Sequence, residues 1–108
     1  MINKKVLFVC SRNQWRSPTA EKVWRDYYNL ETKSAGTSPN AKKTISINDI
    51  KWADLILVME NKHKSRILAK FKQVVKYKKI IVLDIPDNYK FMDKDLIDIF
   101  KSISPEHF

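Results

Sequence analysis

Three short runs of uninterrupted apolar residues punctuate the chain: Val6-Leu7-Phe8-Val9, Leu55-Ile56-Leu57-Val58 and Ile80-Ile81-Val82-Leu83. None alternates with polar residues, so each predicts a strand covered on both faces. Between the runs the apolar spacing becomes helical. Ala20, Val23, Trp24, Tyr27 and Tyr28 fall at i, i+3, i+4, i+7 and i+8. Ile67, Leu68, Phe71 and Val74 form a second set, and Leu96, Ile97 and Phe100 a third. Each set lies on one helical face. A fourth, shorter strand is expected near Thr32–Ala35. The irregular stretch Thr37–Ile50, with Ser38-Pro39-Asn40, reads as a loop followed by a short helix. Strands alternating with helices predict an α/β fold with a parallel sheet and helices on both sides.

A length of 108 residues suits a single domain spanning 1–108, and 44% hydrophobic residues suffice for one core without staples. The single cysteine rules out an intrachain disulfide and a multi-cysteine zinc site, and a free thiol fits a reducing compartment. The start, Met1-Ile2-Asn3-Lys4-Lys5, leads into five apolar residues, too few for a secretory leader or a membrane span. A soluble, cytoplasmic protein that engages no membrane is the expectation. Gly36 is the sole glycine, which excludes glycine-rich nucleotide loops and leaves Asn, Asp and Lys to fill the turns.

The net charge of +9 is polarised. Lys62–Lys79 holds eight bases and no acid, whereas from Asp84 onward six acids meet three bases. Such a surface attracts anionic partners, phosphoproteins or nucleic acid among them, although a solvated helix face accounts for it equally simply.

The candidate chemistry sits in Val9-Cys10-Ser11-Arg12-Asn13-Gln14-Trp15-Arg16-Ser17-Pro18, between the first strand and the first helix. Ser17 is expected as the helix N-cap and Pro18 as its first residue. Cys10 and Arg16 then bracket a loop at the carboxyl edge of a parallel sheet, where open α/β folds bind ligands. Backbone N–H groups of such a loop form an anion nest, and the helix start adds free donors. Arg16 offers a planar fork for phosphate oxygens. The same field stabilises a thiolate, to which Ser17 can donate, placed for in-line attack on phosphorus.

These residues resemble the low-molecular-weight protein tyrosine phosphatases, and in particular their short bacterial branch. The family loop reads Cys-x-x-Asn-x-x-Arg-Ser-Pro-x-Ala-Glu, matched here by Cys10, Asn13, Arg16, Ser17, Pro18, Ala20 and Glu21. Ser34-Ala35-Gly36-Thr37 and Trp52-Ala53-Asp54-Leu55-Ile56-Leu57-Val58-Met59-Glu60 match later segments in order. The resemblance implies a three-layer α/β/α fold with a four-stranded parallel sheet of flavodoxin-like topology. It also implies a phosphatase acting through phosphocysteine, without cofactor or metal, on phosphotyrosine proteins or small aryl phosphates. Asn13 is expected in the left-handed conformation that shapes the loop. Ser11, Arg12, Asn13, Gln14, Trp15 and Ser17 become the substrate-binding set. Arg12 departs from the glycine common in larger relatives; it either adds to phosphate attraction or points to solvent. Trp15 either walls the pocket or packs on the first helix.

Phosphoester cleavage needs a proton for the leaving oxygen. The family supplies it from an Asp-Pro pair after the last strand, and the corresponding segment here is Leu83-Asp84-Ile85-Pro86-Asp87-Asn88-Tyr89, which has no such pair. Asp87 is favoured over Asp84 because Asp87-x-Tyr89 imitates the family's Asp-Pro-Tyr, and Tyr89 is a candidate pocket wall. Asp93 and Asp95 read as the start of the last helix. His63 and His107 lack metal-ligand spacing and are expected in solvent. Three rival readings stand: a phosphate- or phosphoprotein-binding module without turnover, an arsenate reductase relying on an outside thiol, and nucleic-acid binding through Lys62–Lys79.

Overall fold

The computed structural model describes residues 4–108; the reading of Met1-Ile2-Asn3 as the start of a leaderless chain lies outside the described residues. Four strands, β1 (Lys5–Cys10), β2 (Glu31–Gly36), β3 (Leu55–Val58) and β4 (Lys79–Val82), form an all-parallel sheet in the order β2-β1-β3-β4. Helices α1 (Arg16–Tyr28), α2 (Ile47–Trp52), α3 (Asn61–Lys70) and α4 (Lys94–Ser102) connect and cover it. This is the expected three-layer α/β/α architecture.

The pleat explains why the strand runs are continuously apolar. Val6, Phe8 and Cys10 face one layer with Ala20, Val23, Trp24, Leu96 and Phe100. Leu7 and Val9 face the other, with Ile45, Ile50, Ile67 and Val75. The first layer is held by Trp24, which stacks edge-on to Phe8 at 5.1 Å and donates its indole N–H to the Phe100 carbonyl at 3.0 Å. Burying two large aromatics in contact adds about 1 kcal/mol beyond their area.

Four expectations need correction. The Ile80–Leu83 run was expected to be covered on both faces, but β4 is the sheet edge and is only half-buried. Tyr27 and Leu68, placed on the apolar faces of the expected helices, are exposed; α3 stops at Lys70, so Phe71 and Val74 reach the second layer from the turn beyond it. Ser17 does not cap α1: the helix begins at Arg16 with Trp15 as a cap that makes no side-chain bond. His63 is fully buried rather than solvated. Left-handed backbone falls at Asn13, Asn29, Asp84 and Met92, with Asn29 closing α1 where glycine is usual. Among the described residues no helix is long and apolar enough to cross a membrane.

Candidate active site

β1 is an inner strand, so the loop that leaves it at Cys10 is flanked by β2 on one side and β3 on the other. On the β2 side the chain turns back along the loop. The N–H groups of Thr37, Ser38 and Lys42 donate to the carbonyls of Cys10 (3.0 Å), Ser11 (2.9 Å) and Arg12 (3.0 Å). Three successive carbonyls are thus turned outward. Among the described residues, the N–H groups of residues 11–15 have no protein acceptor. Together with the uncapped start of α1 they leave free donors of the kind an anion nest requires.

Gly36 lies directly beneath this loop. A Cβ there would stand 2.5 Å from the Ala41 Cβ, 2.6 Å from the Ser11 carbonyl oxygen and 2.9 Å from the Asn13 nitrogen. Two of these are backbone atoms of the loop itself, so close approach, not a special φ, demands glycine here.

A buried hydrogen-bond chain runs from β2 to the sulfur. Asn13, at φ 53°, donates from Nδ2 to Ser34 Oγ (2.9 Å) and to Ser17 Oγ (3.0 Å). Ser34 in turn donates to Glu21 Oε1 at 2.6 Å. Ser17 Oγ, having accepted from Asn13, lies 2.9 Å from Cys10 Sγ, where either atom can donate, and 3.4 Å from the Ala35 carbonyl, to which it can donate. The residue expected to cap the helix therefore faces the sulfur.

The β3 side holds the guanidinium. Arg16 is 2% exposed, and its Nη1 donates to Glu60 Oε1 (2.6 Å) and to the Ile85 carbonyl (2.7 Å). Its Nε faces Asp87 Oδ1 at 3.6 Å. The hydrogen bond from Arg16 holds the Glu60 carboxyl below its ordinary range. His63 sits behind Glu60. The Glu60 N–H donates to its Nδ1 at 3.0 Å, and its Nε2 lies 2.9 Å from Ser11 Oγ. Burial, with the positive charge of Arg16, pushes the His63 imidazole down to about 4.

Cys10, Ser11, Arg12, Gln14, Trp15, Arg16 and Asp87 line one cavity of about 170 Å³. Arg12 and Trp15 thus both have a face on the pocket. Asn13 and Ser17 are buried behind the loop. Asp84 is exposed in a left-handed turn, outside the residues lining this cavity. Tyr89, a candidate wall, instead packs against the layer containing Phe100 and does not line the cavity. Glu21, Ser34, Glu60 and His63 are contributors that the sequence reading did not place in the site. The available signal was Met59-Glu60, an acid one residue past β3 at the sheet's ligand edge. No group of side chains among the described residues could hold a metal ion.

A family model described as "Low molecular weight phosphotyrosine protein phosphatase" matches residues 5–48. A protein-arginine-phosphatase of Bacillus subtilis (strain 168) is 32% identical over 93 residues, 61% of this chain and 62% of that protein, so the match spans under two thirds of the relative. The low molecular weight protein tyrosine phosphatase from T. tengcongensis superposes with a TM-score of 0.71 at 24% identity, over 90% of each chain. The YwlE arginine phosphatase, solved as a Cys-to-Ser mutant with a phosphorylated active-site serine, superposes at 0.62 with 25% identity, over 90% of this chain and 84% of that one. Over residues 5–48 the chain is similar to the low molecular weight phosphotyrosine protein phosphatases, and over 90% of its length it shares the fold of the T. tengcongensis protein.

Proposed function

We propose that the protein is a cysteine-dependent phosphomonoester hydrolase of the protein-tyrosine-phosphatase type, working through a phosphocysteine intermediate. One observation carries this reading: the Cys10 sulfur, 2.9 Å from Ser17, shares a cavity with Arg16 and Asp87 inside a loop whose first three carbonyls, those of Cys10, Ser11 and Arg12, are bonded to the neighbouring segment. A phosphate monoester dianion enters and is held by the N–H groups of residues 11–15 and by Arg16. The Cys10 thiolate attacks phosphorus and the bond to the leaving oxygen breaks. Asp87 protonates that oxygen; its place on the cavity, opposite Arg16 Nε, supports it over Asp84. Water then attacks the phosphocysteine, Asp87 takes its proton, and the P–S bond breaks as Ser17 donates to the departing sulfur. The thiolate is the nucleophile and the loop stabilises the charge, so the scheme requires no metal or cofactor. A lone thiol at the centre of the chemistry suits the reducing cytoplasm.

A second substrate reading, phosphoarginine, is supported by the arginine-phosphatase relative. The scheme is unchanged except that a P–N bond breaks and the aspartate protonates nitrogen. Turnover of para-nitrophenyl phosphate separates an enzyme from a binding module, and phosphotyrosine and phosphoarginine peptides compared on kcat/KM then choose between the substrates. Cys10→Ser is expected to abolish turnover while orthophosphate still binds; full activity in that variant would refute the scheme.

A further inference from the structure

His63 is fully buried, belongs to α3, and makes one ring hydrogen bond to Ser11, within the anion loop, and the other to Glu60, beside it on the β3 side. Its tautomer follows from the backbone. The Glu60 N–H can only donate, so Nδ1 must carry the lone pair. In the neutral ring the proton is then on Nε2 and is donated to Ser11 Oγ. Ser11 having accepted, its own hydroxyl proton is free for an acceptor in the cavity that Ser11 lines. The residue whose N–H fixes the tautomer, Glu60, is also the carboxylate that holds Arg16.

We infer that His63 is a positioning residue for the reaction at Cys10: in a single tautomer it ties Glu60, the anchor of Arg16, to Ser11, and presents the Ser11 hydroxyl to the bound phosphate as a donor. The inference rests on the phosphatase reading above. The charged groups facing the ring are Arg16 from α1 and Glu60, Lys62 and Arg66 at the start of and along α3. Three of the four are positive, so the ring stays neutral throughout the range in which such an enzyme would work.

The ring's support can be separated from its link to Ser11. In His63→Gln the glutamine can still accept the Glu60 N–H, as at the third position of a capping box, but it cannot reproduce the rigid link to Ser11. The test measures inhibition by orthophosphate with para-nitrophenyl phosphate as substrate in wild type, Ser11→Ala, His63→Gln and the double variant. A lost hydrogen bond to a charged ligand predicts phosphate affinity about tenfold weaker in each single variant, and no weaker in the double, because both remove the same donor. Multiplicative losses, or unchanged phosphate affinity in His63→Gln, would overturn the inference. If His63→Gln does not fold, imidazole ¹⁵N shifts of the wild type decide the tautomer and Ser11→Ala decides the donor. A proton on Nδ1, or undiminished phosphate affinity in Ser11→Ala, overturns it. Wild type that turns over no phosphate monoester would instead contradict the phosphatase reading itself.

Discussion

Acidification should destabilise this protein through His63 before most carboxylates titrate. In the folded chain the imidazole is held at about 4 by burial and by Arg16, against an ordinary value of 6.5. The unfolded chain therefore takes up a proton first as pH falls. The stabilisation that comes from keeping the ring neutral is complete above pH ~6.5 and is lost progressively down to pH ~4, below which both states are protonated. A gap of about 2.5 units at ~1.36 kcal/mol each sets a ceiling of roughly 3 kcal/mol, of which about 2 kcal/mol is gone by pH ~5. That is a large share of the 5–15 kcal/mol typical of small domains. Protonation also sets a second N–H against the Glu60 amide, so the ring cannot charge without giving up that bond. Urea unfolding at about pH 7, 6 and 5, run in parallel on wild type and His63→Gln, isolates the effect, since all other titrating groups are common to both. The wild-type midpoint should fall steeply between pH ~6.5 and 5 and that of His63→Gln much less. Curves that stay parallel would mean that His63 is not buried in a neutral form, and the assignment of the ring to the loop's support would fail with it.

Three further outcomes follow from the site. Arg16→Lys loses the fork that reaches Glu60, Ile85 O and the anion together, so kcat/KM should drop by at least about 10²-fold; near-normal kinetics in steady-state assays would remove Arg16 from the clamp. Gly36→Ala places a methyl against the Ser11 carbonyl and the Asn13 nitrogen. It should cost about 1–3 kcal/mol in urea unfolding and about 10²-fold in kcat, because the loop itself must shift; wild-type values for both would show that the loop tolerates the displacement. Asp87→Asn should lower kcat for substrates with poor leaving groups by about 10²–10³-fold and for para-nitrophenyl phosphate by less, while Asp84→Asn, remote from the cavity, leaves both within about threefold; the reverse ranking would move the general acid to Asp84.

The strands and the anion loop were legible because their signals are local. A run such as Leu55–Val58 is covered on both faces wherever it sits inside the sheet, and Cys10, Asn13 and Arg16 belong to one turn of chain. β4 was misjudged because its apolar run looks the same as the others; which strand ends the sheet depends on pairing order, not on composition. Ser17 was legible as a helix-start residue, yet its hydroxyl lies 2.9 Å from the Cys10 sulfur and the first turn of α1 has no side-chain cap. His63 was hidden for a similar reason. Its neighbours Lys62, Lys64 and Arg66 are charged, and that composition reads as a solvated face, while the polar partners that make its burial possible lie 3 and 52 residues away.

Sheet order explains why the chemistry is placed at the end of β1. In the order β2-β1-β3-β4 the loop after β1 can be braced from both neighbouring strands, which no edge strand permits. From β2 come Ser34, tied to Glu21 and Asn13, and Gly36 under the loop; this side fixes the loop's curvature and, through Asn13, holds Ser17 against the sulfur. From the end of β3 come Glu60 and His63, which fix the guanidinium and the residue after the nucleophile. The two braces share no side chain. A lesion on the β2 side, such as Ser34→Ala, should therefore weaken the sulfur's reactivity toward an alkylating agent while leaving Arg16 in place. A lesion on the β3 side, such as Glu60→Gln, should do the opposite, lowering phosphate affinity with little change in alkylation. Because the sites are independent, the effects on kcat/KM should add in free energy in the double variant. Strong non-additivity there would show that the loop behaves as one rigid unit, and the separation of roles between the two flanking strands would have to be abandoned.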